Sequence, residues 1–108
     1  MLDKIQSIDP SITFDAVIAW IDEHYVFTPT AFNNGHLRNA LGTNQGSCKL
    51  FAFAKLNHLT DAQCLNCFGQ FYVDVLNTPK GQDHLNIRQL MQTGLDQVSF
   101  NQSPLKPK

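Results

Sequence analysis

Neither sign of charge is in excess: eight Lys and Arg face nine Asp and Glu, for a net charge of −1 with the four histidines neutral. That balance leaves no basic footprint for nucleic acid. No apolar run is long enough to span a bilayer, and no basic cluster marks a membrane surface. The opening residues, MLDKIQSIDPS, lack the apolar stretch of a secretory signal, so a cytoplasmic protein is expected. Cysteine is scarce, and three is an odd number. Nothing suggests a disulfide framework, which again fits a reducing compartment. Internal repeats are absent. What remains is a chain of 108 residues, 43% of them apolar, enough for one core in one domain without staples.

Catalytic and cofactor signatures are equally thin. Gly42 is followed by three residues and then Gly46-Ser47-Cys48-Lys49, which puts the lysine in the wrong place for a phosphate loop. No GxSxG elbow surrounds Ser47. Ser47, His84 and Asp83 are residue types that could serve as nucleophile, base and orienter, but Asp83 is better explained as a helix cap. Cys64-Leu65-Asn66-Cys67 has redox spacing, yet Cys64 falls about one turn inside a helix and no βαβ pattern precedes it. Small apolar residues on a buried helix face explain both cysteines. Zinc would need two further ligands, such as Cys48 and His58, at no recognisable spacing. No metal and no cofactor is expected.

The most informative stretch is Asn39–Leu56, NALGTNQGSCKLFAFAKL. Between Cys48 and Leu56 only Lys49 and Lys55 are charged, so a helix here has no polar face and belongs in the core. A buried strand is the competing reading. Alanine content, Ser47 as N-cap and the preceding glycine favour a helix over 47–56. The Gly42–Gly46 loop carries no bulky side chain. Its amides, the helix start behind them and Lys49 could cradle an anion. The plainer account is a turn plus a cap.

Around this stretch the chain reads as mostly helical. Leu2, Ile5 and Ile8 suggest a short helix ended by Asp9-Pro10. Phe14, Val17, Ile18, Ile21 and Tyr25 follow the helical rule, capped by Thr13, with Trp20 at the edge. Asn34-Gly35 predicts a two-residue hairpin turn that sets Phe32 opposite Leu37 and Asn33 opposite His36. Thr60 and Gln63 form a capping box for a helix that buries Cys64, Phe68, Phe71, Tyr72 and Val75. Gly69 inside it implies either a close neighbour or a break. Asp83 would cap a last helix with Leu85, Ile87, Leu90 and Met91 apolar and Gly94 as its stop. From Asp96 onward the chain is polar and reads as a mobile tail, which puts the globular domain at 1–95 and the tail at 96–108.

The segments YVFTPTAFNNG, NQGSCKLFAFAKL, CFGQFY and DHLNIRQLM resemble the HopJ type III effector family, in order and over roughly residues 14 to 95. Motif positions present are Phe27, Thr28, Phe32, Asn39, Asn44, Gly46, Ser47, Cys48, Lys49, Phe68, Gly69, His84, Asn86 and Arg88. Cys64 is not part of the pattern. The resemblance implies a single small bacterial domain, in a family named after a protein delivered into plant cells by a type III secretion system. It brings no catalytic residues with it.

The expected fold is therefore α+β and mostly helical, with four to five short helices around a central buried one, plus one β-hairpin. Two polar clusters stand out as a shared ligand pocket: Asn39, Asn44, Gly46, Ser47 and Lys49 from one side, His84, Asn86 and Arg88 from the other. With Lys and Arg present, a carboxylate or phosphate would suit it. Two functions follow. The preferred one is a monomeric protein-interaction module, using the hairpin and delivered to a host if the resemblance extends that far. The alternative is a small-anion-binding domain or enzyme built on the Asn39–Lys49 loop.

Overall fold

The helix without a polar face lies where that composition requires. In the computed structural model, which describes all 108 residues, α3 (Gln45–Leu56) runs through the core and buries Cys48, Leu50, Phe51, Ala52, Phe53 and Ala54. Its two lysines escape sideways. Lys55 Nζ donates to the carbonyls of Leu95 and Val98 at 3.0 and 2.8 Å. Lys49 Nζ pairs with Asp22 at 2.8 Å and sits 4.9 Å from the centroid of the Phe27 ring. The helix starts earlier than expected. Ser47 is inside the first turn, and the N-cap is Asn44 in the left-handed conformation, φ 50.

Against α3 packs α2 (Phe14–His24), whose N-cap Thr13 accepts from the Ala16 amide at 3.2 Å and whose Val17 and Ile21 are fully buried. Tyr25 leaves the helix and opens strand β1 (Tyr25–Phe27). The short α1 (Leu2–Gln6) contributes only Ile5 to the core. Leu2 and Ile8, expected beside it, are exposed, because the chain turns out of the helix at Ile8 with φ 53.

The hairpin forms with its two-residue turn one position later than expected. Strands β2 (Phe32–Asn34) and β3 (Leu37–Asn39) pair Asn34 with Leu37, Asn33 with Arg38 and Phe32 with Asn39. The loop is Gly35-His36, with Gly35 at φ 57. Glycine at the first loop position with positive φ is the type II′ pattern. Each cross-strand partner therefore moves by two residues, Phe32 from Leu37 to Asn39, and every side chain keeps its face. The later turn leaves Asn34 in the strand, on the inward face with Phe32, where it is fully buried and bonded to Asn86.

The residues after Asp96 also depart from expectation. Strand β4 (Val98–Phe100) adds to β2, giving the order β3-β2-β4, and β5 (Leu105–Pro107) pairs with β1. Val98 and Leu105 are core residues. Apolar anchors in a polar stretch are enough to dock it when both pairing strands already exist.

The capping box of Thr60 and Gln63 opens α4 (Asp61–Asn66). Gly69, φ 57 and ψ −127, then breaks the helix and starts α5 (Gln70–Asn77). Both readings of that glycine hold, since a Cβ there would lie 3.1 Å from the Phe14 nitrogen and 3.2 Å from the Ile12 oxygen. The break turns Phe71 out to 41% exposure and leaves Tyr72 half-buried, while Cys64, Phe68 and Val75 are in the core. The last helix, α6 (Leu85–Thr93), stops at Gly94 as expected, φ 76. Its buried side is Asn86, Ile87, Gln89 and Leu90, whereas Leu85 and Met91 face outward.

Candidate functional site

Helices α3 and α6 begin in the same way. Asn44 precedes α3 at φ 50, ψ 46, and His84 precedes α6 at φ 49, ψ 47. A left-handed residue at an N-cap is unusual, since that position normally has extended dihedrals and a side-chain oxygen that caps the turn. Neither side chain caps here. The amides of Gly46 and Ser47 in one helix, and of Leu85 and Asn86 in the other, therefore have no partner within the protein. Asparagine tolerates the left-handed region best among non-glycine residues, with histidine also enriched there.

Both first turns line one cavity of about 540 Å³. Asn44, Gly46 and Ser47 form one wall, and Gln82, His84 and Asn86 the other. Phe14, Phe68 and Phe71 supply an aromatic side. Behind the polar walls, asparagines lock the two helix starts to the hairpin. Asn44 donates to Asn39 Oδ1 at 2.7 Å, Asn39 and Asn86 bond each other, and Asn34 donates to Asn86 Oδ1 at 3.1 Å. Asn34 Oδ1 is the one buried side-chain oxygen or nitrogen left without a partner.

The family model described as HopJ type III effector protein matches residues 1–105. The chain belongs to the HopJ family. A solved structure of a protein of unknown function, VPA0580, superposes on it with a TM-score of 0.95 at 45% identity, covering 99% of this chain and 90% of that one. No curated protein matches the sequence.

Of the residues expected to form a ligand site in this HopJ chain, Asn44, Gly46, Ser47, His84 and Asn86 do meet at one cavity. Asn39 stands directly behind them as a buried support. Lys49 and Arg88 do not line it. Arg88 turns to the 78–83 loop, where it donates to the Thr78 carbonyl at 2.6 Å, the Asp83 carbonyl at 2.6 Å and the Asp83 carboxylate at 2.7 Å. That hydrogen bond holds the Asp83 carboxyl below the usual carboxylate range. Asp83 is thus a partner of Arg88 and not the N-cap of α6, the position His84 occupies. The cavity's positive character comes from helix ends, about half a charge each.

Ser47 and His84 share the cavity, but no hydrogen bond joins them, and the His84 Nε2 lies 3.8 Å from Asp83 Oδ2. This is not an assembled nucleophile and base, which needs hydrogen-bond reach. No group of three His, Cys, Asp or Glu side chains is placed to hold a metal ion. Cys64 and Cys67 are both buried, and burial pushes both thiols up, Cys67 to about 12. A thiol so raised is a poor nucleophile at neutral pH. No helix is long and apolar enough to cross a membrane.

Sequence reasoning missed Asn34, which it spent on the turn, and the aromatic wall. Phe14 and Phe68 were visible only as core. Helical spacing also put Phe71 on the buried face, because it carried α4 straight through Gly69.

Proposed function

We propose that this HopJ-family domain binds a small organic anion in the cavity between the starts of α3 and α6. One observation carries the reading: two uncapped helix N-termini, each preceded by a left-handed residue, open on the same space. Unpaired amides and two helix N-termini favour a negative group there. The cavity sits within the usual size range of small-molecule sites and combines apolar walls with few polar groups.

Protein interaction through the hairpin has less support. β2 is flanked by β3 and β4, and Phe32 and Asn34 point into the core, leaving Asn33, His36 and Arg38 as the exposed side chains of the hairpin. Delivery to a host rests on the family description alone, and a secretion assay with a type III-competent strain tests it directly.

The binding reading is tested by amide NMR during titration with sodium acetate and, separately, phosphate at constant ionic strength. Saturable shifts confined to Gly46, Ser47, Leu85 and Asn86 are expected. The Ser47→Asp variant places a carboxylate at the mouth without touching the asparagine network, and should abolish them. Weak shifts spread over the whole surface, unchanged in that variant, would overturn the proposal.

A further inference from the structure

The aromatic side of the same cavity narrows the ligand class. Phe14 stacks on Phe68 with centroids 5.6 Å apart and planes within 6°, and meets Phe71 edge-on at 5.5 Å. Phe71 in turn leans over the His84 imidazole at 5.4 Å and 40°. A ring system thus runs continuously from the buried Phe68 to the rim. At that rim Phe71 is 41% and Leu85 53% exposed. Both are apolar groups placed beside the polar helix starts and left uncovered by the rest of the chain. A cavity of about 540 Å³ also exceeds what a bare inorganic anion fills.

The charge present is small. Lys49 is committed to Asp22 and Arg88 to Asp83, so neither cation reaches the cavity wall. Two helix ends supply about one positive charge between them. That suits a monoanion better than a doubly charged phosphate, which ordinarily draws Arg or Lys.

Resting on the anion-binding reading, we infer that the ligand is a carboxylic acid with a flat aromatic body. Its carboxylate lies at the amides of Gly46, Ser47, Leu85 and Asn86, and its ring lies against Phe14 and Phe71. Offset or edge-on ring packing of this kind adds affinity beyond burial.

Benzoate, acetate, benzyl alcohol and phosphate, titrated into the full chain by calorimetry and NMR, separate the parts of this inference. Benzoate is expected to bind about tenfold more tightly than acetate, the return on one added ring contact, and more tightly than benzyl alcohol, which keeps the ring but lacks the charge. Ring-current shifts should appear on the Phe14 and Phe71 side chains of the unmodified protein. Phe71→Leu, at a half-exposed position, should weaken benzoate severalfold and acetate by a smaller factor. If acetate matches benzoate at the helix amides, the aromatic inference fails while anion binding stands. If benzyl alcohol matches benzoate, the anion reading itself fails. Phosphate binding more tightly than every carboxylate would overturn the monoanion assignment, and no binding by any probe would overturn both proposals.

Discussion

The side-chain amides of Asn39 and Asn86 each donate to the other's oxygen, at 3.2 and 2.9 Å, across 47 residues of sequence. This reciprocal pair ties the outer strand β3 to the first turn of α6, and through Asn44 it ties both to the start of α3. Asn86 Oδ1 is the acceptor for Asn39 Nδ2. Asn86→Ala would strand that buried donor, at a cost of about 1–3 kcal/mol. Urea unfolding should show the loss. The amide shifts of Asn39 and Asn44 should move with it, because both lose their anchor to α6.

Gly69 predicts a larger and more local effect. At φ 57 and ψ −127 it occupies backbone space that other residues rarely adopt, and a Cβ there would press on the backbone of Ile12–Phe14. Gly69→Ala meets a backbone penalty of about 1–3 kcal/mol plus a contact that no side-chain rotation relieves. Gly42→Ala is the control. It also has positive φ, but its Cβ would meet nothing within 4 Å, so only the conformational cost of about 1–2 kcal/mol applies. Unequal denaturation midpoints, with Gly69→Ala the lower, would bear out the close approach.

His58 offers the opposite sign. It ends α3 at φ 54, with the Leu59 amide bonded back to Ala54 at 2.9 Å, the arrangement that usually recruits glycine. The imidazole is exposed, so replacement removes strain at little cost in packing. His58→Gly should stabilise by roughly 0.5–1 kcal/mol, the left-handed penalty less the extra freedom of an unfolded glycine. A lower thermal midpoint for this variant would contradict that account.

Local rules reached far along this chain, and they stopped where partners are distant. The apolar run of α3, the Thr13 cap, the Thr60–Gln63 box and the Gly94 stop each depend on residues within a turn or two, and each formed as read. The hairpin register did not, because Asn34 and Gly35 suit a turn equally well locally. Asn34 is drawn inward by Asn86, 52 positions on. The site divided for the same reason. Asn44, Gly46, Ser47, His84 and Asn86 line the cavity as backbone-forming neighbours of helix starts, while Lys49 and Arg88 follow carboxylates that spacing could not assign.

The C-terminal strands carry a prediction that composition alone would reverse. Leu105 is 2% exposed and faces Phe27 in the β1–β5 pair. Leu105→Ala should cost about 2–4 kcal/mol, as for other buried leucines that leave a cavity. Amides of Thr28 and Asn101, bonded to Pro104 and Ala31, should exchange slowly in the intact protein. Rapid exchange at both would mean the segment is not docked.

Buried thiols make stability fall at alkaline pH. Burial raises Cys48 from 9.0 to about 11 and Cys67 to about 12, and holds Cys64 well above its ordinary value. The folded state therefore keeps its protons after the unfolded chain has begun to lose them. Below pH 9 both states are protonated and the thiols add no slope. As pH rises from about 9 towards 11 and 12 the unfolded state binds fewer protons, so stability declines through that window. The comparison with Cys48→Ala isolates the contribution of that thiol. That variant should start less stable at pH 8, having lost a buried side chain, and should then lose stability less steeply than the parent between pH 9 and 11. Parallel slopes would show that Cys48 ionises freely in the folded protein. Slow reaction with a thiol reagent at pH 8, accelerated by urea, checks the same burial by a second route.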